Sequence, residues 1–441
     1  MGRFRGKRPA PGSIARKSAY WWVTQLRVWL SSPKPRAKSL PSAHSRIRTQ
    51  VIEIATKFGS TGLRAIGHFA WPTVPRKGES YLLGVGKLMN ATSAEVIEVV
   101  SDFPDMQELS VELSGRRGIA SAICYPGITG KARPGDEVIV NTTAVDLGLG
   151  SGGAHFVIWV SGRNSLINPL PGHIMKMRYA PMQLATGSYE ENPAYRGAIE
   201  NFSGLSGMPV VICELHSMVA PVVAGFSGKI AYIMTDGAAL PYAFSKTARR
   251  LKDEGLLHVS ITAGHAFGGD LEAVNVHSAL VAASAVCRCD GAVVAMGPGI
   301  VGTATRYGFS GIEQAYIADA VNRMGGSAII VPRLSRCDTR ERHRVVSHHT
   351  ITVLGDACCT PVTCVLASDM DPRFLQEATN RLSEALRAGG HRIAQAEGGK
   401  AIEVLRECGI GLSTMGRGFD EEPEFFLTSA AAGAYARSLL H

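Results

Sequence analysis

Histidines and acids gather in one stretch of this chain. Seven of the 13 histidines fall between His216 and His349, and neutral imidazole is the usual metal ligand and general base. His216 ends the apolar run Pro209–Leu215, Asp236 follows Lys229–Thr235, and Asp270 closes the segment Gly264-His265-Ala266-Phe267-Gly268-Gly269-Asp270. Two histidines and a carboxylate form a workable ligand set for a divalent ion. His216, Asp236 and His349 are therefore the expected metal ligands. His216, Asp236, Asp270 and His348 are the candidates for acid–base catalysis. His348 and His349 are adjacent; in a strand they would point to opposite faces, so at most one of the two is expected to enter the cleft. The plainer alternatives are an Asp-Gly turn for Asp236 and a helix N-cap for Asp270.

A second group of residues suits an anion. The loop Gly297–Gly311 holds five glycines in 15 residues, with Thr303 and Arg306 among them. Backbone N–H groups freed by Gly297 and Gly299, the Thr303 hydroxyl, and Arg342 and Arg344 from the charged run Asp338–His349 are the expected anion binders. The loop contains G-x-G-x-x-G, but it follows the fourth apolar strand, no helix begins at once, and the next strand ends in Arg333 rather than an acid. No nucleotide cofactor is expected on that basis. A phosphate loop ending in Gly-Lys-Ser/Thr is absent, and no G-x-S-x-G elbow stands at a strand end.

These residues need a frame, and the periodicity supplies one. From about residue 205, continuous apolar runs alternate with amphipathic stretches. The expected strands are Pro209–Leu215, Lys229–Thr235, His258–Thr262, Gly291–Met296 and Ser327–Pro332. The expected helices are Met218–Ala224, Ala243–Glu254, Leu271–Val286, Ile312–Met324, Pro372–Ala388, Lys400–Cys408 and Thr428–Leu440. That pattern predicts a parallel, Rossmann-like sheet covered on both faces, with ligands at the carboxyl ends of its strands. Upstream, short runs separated by turn signals (Tyr81–Leu88, Ala94–Val100, Glu108–Leu113, Gly118–Tyr125, Glu137–Asn141, His155–Val160) predict a small antiparallel β-barrel-like domain. The fold class is thus α/β. The expected division is a basic leader and linker at 1–78, a barrel-like domain at 79–165, an α/β domain at 166–395 and C-terminal helices at 396–441.

Charge weighs against one broad class of partner. The chain of 441 residues has a formal charge of +9, but residues 1–52 hold 12 Lys/Arg and no acid, leaving the body near neutral. A wide basic face for nucleic acid is not implied. The nine cysteines are odd in number, mostly sit in apolar runs and form no C-x-x-C pair, which suits free thiols in a cytoplasmic protein. The apolar cluster Ala19–Leu30 is interrupted by Arg27 and is too short for a transmembrane span, which takes about 20 residues.

At these motifs the sequence resembles a bacterial family of unknown function, domain-of-unknown-function family 3866. The matching stretches include Tyr125–Gly130, Asn141–Ala144, Leu147–Gly153, Gly207–Val210, Leu215-His216-Ser217 and Met234–Gly237. They continue through Gly268–Val274, Gly297-Pro298-Gly299, Arg340–His343, Ser347-His348-His349 and Thr414–Gly418. The resemblance covers about residues 80–441 and implies an architecture and a set of candidate residues, but no reaction. The residues themselves point to metal-assisted hydrolysis or group transfer on a small anionic substrate, phosphorylated ones included. The competing readings are a non-catalytic nucleotide- or metabolite-binding protein and a nucleic-acid-binding protein.

Overall fold

Five strands turn apolar side chains toward a common interior and close on themselves. They are β1 (Ala91–Asp102), β2 (Gln107–Leu113), β3 (Ile119–Cys124), β4 (Glu137–Asn141) and β5 (His155–Val160). In β2, Leu109, Val111 and Leu113 turn inward and meet Val96, Val138, Val140, Val157 and Val160. The closed order is β1-β2-β3-β5-β4, with β3 and β5 parallel and every other pair antiparallel. This is the five-stranded arrangement of OB-type barrels. β1 pairs on both edges, and its register shifts at Val96/Glu98 and Val99/Ser101, where bulges let a 12-residue strand bend around the barrel. The computed structural model describes residues 89–149, 153–162 and 172–440. The basic leader, the Ala19–Leu30 cluster and the expected strand Tyr81–Leu88 lie outside them.

A short hairpin, β6 (Ile174–Lys176) with β7 (Leu184–Thr186), leads into the second layer. Its Lys176 is buried and donates to Glu272 Oε2 at 2.5 Å and to the Ala266 carbonyl. That contact pins the loop between the next strands.

The main sheet has eight strands, all parallel. They are β8 (Pro209–Ile212), β9 (Ile230–Thr235), β10 (Val259–Ala263), β11 (Leu271–Ala273), β12 (Gly291–Met296), β13 (Ser327–Ile330), β16 (Thr363–Ala367) and β17 (Arg392–Ala396). The order is β11-β10-β9-β12-β8-β13-β16-β17. β8, β9, β10 and β12 are buried at every position, as strands covered on both faces must be. Helices α1 (Val219–Phe226), α7 (Gly399–Glu407) and α8 (Pro423–Ser438) pack together on the sheet, as do α3 (Val276–Val281) and α4 (Glu313–Arg323) elsewhere. Gly225 and Gly433 allow α1 and α8 to touch backbone to backbone. A Cβ on either would fall 2.1 Å from a carbonyl oxygen of the other helix.

Three strands depart from the expectation. Leu271–Ala273 is a strand, and the helix expected from Leu271 begins only at Val276, capped by Asn275. The side chain of Asp270 holds that segment beside β10 by accepting from the N–H and Oγ of Ser260, at 2.9 and 2.8 Å. β16 and β17 extend the sheet beyond the five strands expected. The barrel rests on α2 (Lys246–Asp253) and the segment before it. Met106, Ile123, Ala154 and Ala243 form a small core there, and Arg249 lies 3.9 Å over the Phe103 ring. Among the described residues, no helix is long and apolar enough to cross a membrane.

Candidate functional site

Strand order decides where a cleft can open. The chain leaves β8 toward β9 on one side and leaves β13 toward β16 on the other, although β8 and β13 are neighbours. Such a divergence opens a crevice beyond the carboxyl ends of the two strands. Glu214 follows β8 and Arg333 follows β13. Both are buried, and Arg333 Nη1 donates to Glu214 Oε1 at 2.9 Å across the crevice.

The segment after Arg333 then folds back over this pair. β14 (Leu334–Ser335) pairs antiparallel with β15 (Val345–Val346), and Ser347 caps α5 (His348–Thr352) by accepting from the His349 N–H at 3.2 Å. The adjacent histidines therefore begin a helix and are not in a strand, and about 100° of rotation per residue leaves both rings on one side. Their centroids are 4.4 Å apart, and His343 lies 5.1 Å from His348 and 5.0 Å from His349. One ligand nitrogen from each of His343, His348 and His349 lies within 4.8 Å of the others.

The free atoms are well defined. His349 Nδ1 donates to Glu214 Oε1 at 2.6 Å, and His343 Nδ1 pairs with Ser347 Oγ at 2.8 Å. Nε2 is what each ring has left. His348 Nε2 is buried without a hydrogen-bond partner, as is Glu214 Oε2. A carboxylate or hydroxyl behind a ligating imidazole fixes its tautomer and direction. Phe309 stacks flat on His349, with centroids 3.9 Å apart and planes 2° apart. Gly302 completes the wall, since a Cβ there would sit 3.6 Å from His349 Nε2.

The electrostatics favour the neutral form of His343 and His348. Burial, reinforced by the Arg333 and Arg340 charges, pushes His343 down to about 3. Burial, with His349 and Arg342, also lowers His348. Burial alone would raise Glu214, but the Arg333 charge and the His349 contact outweigh it and hold the carboxyl below its ordinary range.

Beside the rings lies a cavity of about 160 Å³, lined by Arg333, Arg340, Arg342, Gly302 and Met415 among others. Arg333 is held by Glu214, and Arg340 is held by Asp338 at 2.7 and 2.9 Å. Arg342 is exposed and forms no ion pair among the described residues. Met415 comes from the hairpin β18 (Ser413–Thr414) and β19 (Arg417–Gly418). That hairpin is anchored by Arg417 to Glu422 at 2.6 Å, and Glu422 also accepts from Ser335 Oγ at 2.6 Å.

The residues expected from the sequence are spread more widely than one site. His348, His349 and Arg342 meet here. His216 and Asp236 are not part of the histidine cluster. His216 Nε2 pairs with Ser245 Oγ at 2.7 Å in another cavity, and burial pushes its pKa down to about 4. Asp236 is exposed and accepts from the His265 N–H at 3.0 Å, tying two loops. Asp270 serves Ser260 and Lys252 near the start of β10, away from the carboxyl ends of the strands. Gly297 packs against Ala239, and a Cβ there would meet its carbonyl at 2.5 Å. Gly299 adopts a left-handed conformation at φ 110°. Thr303 Oγ1 bonds within its own loop, to Thr305 and Gly308. Arg344 is exposed and does not line the cavity.

His343, Glu214 and Arg333 join the site without having been among the expected ligands. The available signals were a charged residue near the end of each of two apolar runs, and the spacing His343-x4-His348-His349.

Fold and site define a class: a five-stranded barrel followed by an all-parallel α/β sheet, with a histidine cluster at its crevice. The chain belongs to the protein family of unknown function DUF3866, whose model matches residues 121–433. No curated protein and no solved structure matches it.

Proposed function

We propose that the protein is a metal-dependent enzyme that hydrolyses, or transfers a group from, a small anionic substrate in the cleft between β8 and β13. One observation carries this reading: three histidines converge within 4.8 Å beside an arginine-lined cavity. Three imidazoles with an open position suit zinc or a similar divalent ion. When bound, such an ion polarises a substrate oxygen or lowers the pKa of a water. Glu214 and Ser347 direct His349 and His343, and Arg342 receives the anion.

The nucleic-acid alternative finds less support. The barrel strands carry six acidic side chains and no Lys or Arg, so they offer no surface for phosphates.

Elemental analysis of the purified full chain tests the reading. Stoichiometric divalent metal, lost in His343→Ala and retained in His216→Ala, is the expected result. No metal in the wild type after reconstitution with common divalent ions overturns it. With metal present, inorganic phosphate should bind about tenfold more weakly to Arg342→Ala, a loss of one charge-assisted contact.

A further inference from the structure

His216 is not used by the metal centre, yet it is held as if for work. Its Nε2 lies 2.7 Å from Ser245 Oγ, and its ring stands edge-on to Tyr232 at 6.1 Å. Both His216 and Ser245 line a cavity of about 330 Å³ between the barrel and the α/β layer. Its walls are largely apolar: Met106 and Ile123 from the barrel, and Phe244 and Pro298 from the α/β side. The Glu108–Lys246 ion pair, 2.5 Å long, closes one side, with Lys246 largely exposed. An apolar cavity with a few convergent polar groups is the usual form of a small-molecule site.

Ser245 also caps α2, since its Oγ accepts from the Ala248 N–H at 2.9 Å. Capping accounts for that contact but not for the histidine. The N–H groups of Lys246 and Thr247, the first two residues of α2, have no acceptor within the helix. They directly follow the serine, and both residues line the cavity. A hydroxyl, a base bonded to it and two free backbone donors are the parts that acyl transfer requires.

We propose that Ser245 is a nucleophile activated by His216, and that this second site cleaves esters or thioesters of small apolar acyl groups. Ser245 Oγ forms a bond to the acyl carbon as its proton passes to His216 Nε2. The bond from that carbon to the leaving oxygen or sulfur breaks, and the leaving group takes the proton from His216. Water then attacks the acyl-serine with His216 accepting its proton, and the free acid departs as Ser245 is reprotonated. The pairing escapes a local motif search because Ser245 lies 29 residues after His216.

A fluorophosphonate probe on the full chain tests this, with adducts mapped by peptide mass spectrometry. The expected result is one adduct on Ser245, unchanged by EDTA, which separates this site from the metal centre. Ser245→Asn keeps a capping oxygen without the nucleophile and should not label. His216→Gln should label about a hundredfold more slowly, the scale of a lost general base. Thermal unfolding checks that each variant is folded. No adduct on folded wild type, an adduct elsewhere, or an undiminished rate in folded His216→Gln overturns the proposal.

Discussion

Two cavities of the same chain each hold buried imidazoles, and they differ in what stands behind the ring and what lines the space. In the cleft between β8 and β13, a carboxylate and a serine occupy Nδ1 of His349 and His343, and arginines line the cavity. At the barrel junction, a serine meets Nε2 of His216 directly, and the walls are apolar. Occupying the inner nitrogen turns the outer one toward a ligand, whereas occupying the outer nitrogen with a hydroxyl pairs the ring with that hydroxyl. The partner atom therefore sets the chemistry more than the residue type does.

The largest effect should come from removing the charge that organises only the first cavity. Glu214→Ala leaves Arg333 buried without its 2.9 Å partner. The expected loss is about 3 kcal/mol of unfolding free energy by urea titration, because a buried charge left with only the Asp338 carboxylate, 3.9 Å away, is costly. Adding Arg333→Met should recover part of that loss. An Ala variant as stable as wild type would show that the pair does not organise the cleft.

Acid should then sharpen the contrast. His343 and His216 are neutral when folded, with pKa values near 3 and 4 against an ordinary 6.5. The unfolded chain binds these protons first as pH falls, so their contribution to stability is complete above about 6.5 and is lost on the way down to the folded values. Stability without added metal should drop between pH 6.5 and about 3. His343→Gln and His216→Gln should each flatten that slope in folded protein. Identical slopes in the variants would break the link.

The smallest effect belongs to the Ser245 cap. Ser245→Ala should cost about 1 kcal/mol, and Ser245→Asn less, since Asn is an equally good cap. Equal losses would mean that the His216 contact, and not the cap, holds α2 in place.

Much of this frame was legible in the sequence. Continuous apolar runs such as Pro209–Leu215 and Gly291–Met296 are short enough to read as strands covered on both faces, and their alternation with helices implies a parallel sheet. The barrel strands were legible as short runs separated by turn signals such as Pro126-Gly127 and Pro134-Gly135-Asp136. Leu271–Val286 misled because its first residues were drawn into the sheet by contacts of Asp270 and Glu272 with Ser260, Thr262 and Lys176. Those contacts reach back along the chain and leave no mark in local periodicity.

Sequence alone also placed His348, His349 and Arg342 among the candidate residues, because residue type and the density of charge in the run Asp338–His349 are local properties. Only the tertiary structure decided which of them meet. The Ser347 cap made a helix of the adjacent histidines and brought both rings to one side. The strand order set β13 beside β8, so Arg333 met Glu214 across 119 residues while His216, two residues after Glu214, went to a different cavity. Convergence depends on long-range pairing of strands, and periodicity specifies that a strand exists without specifying its neighbour.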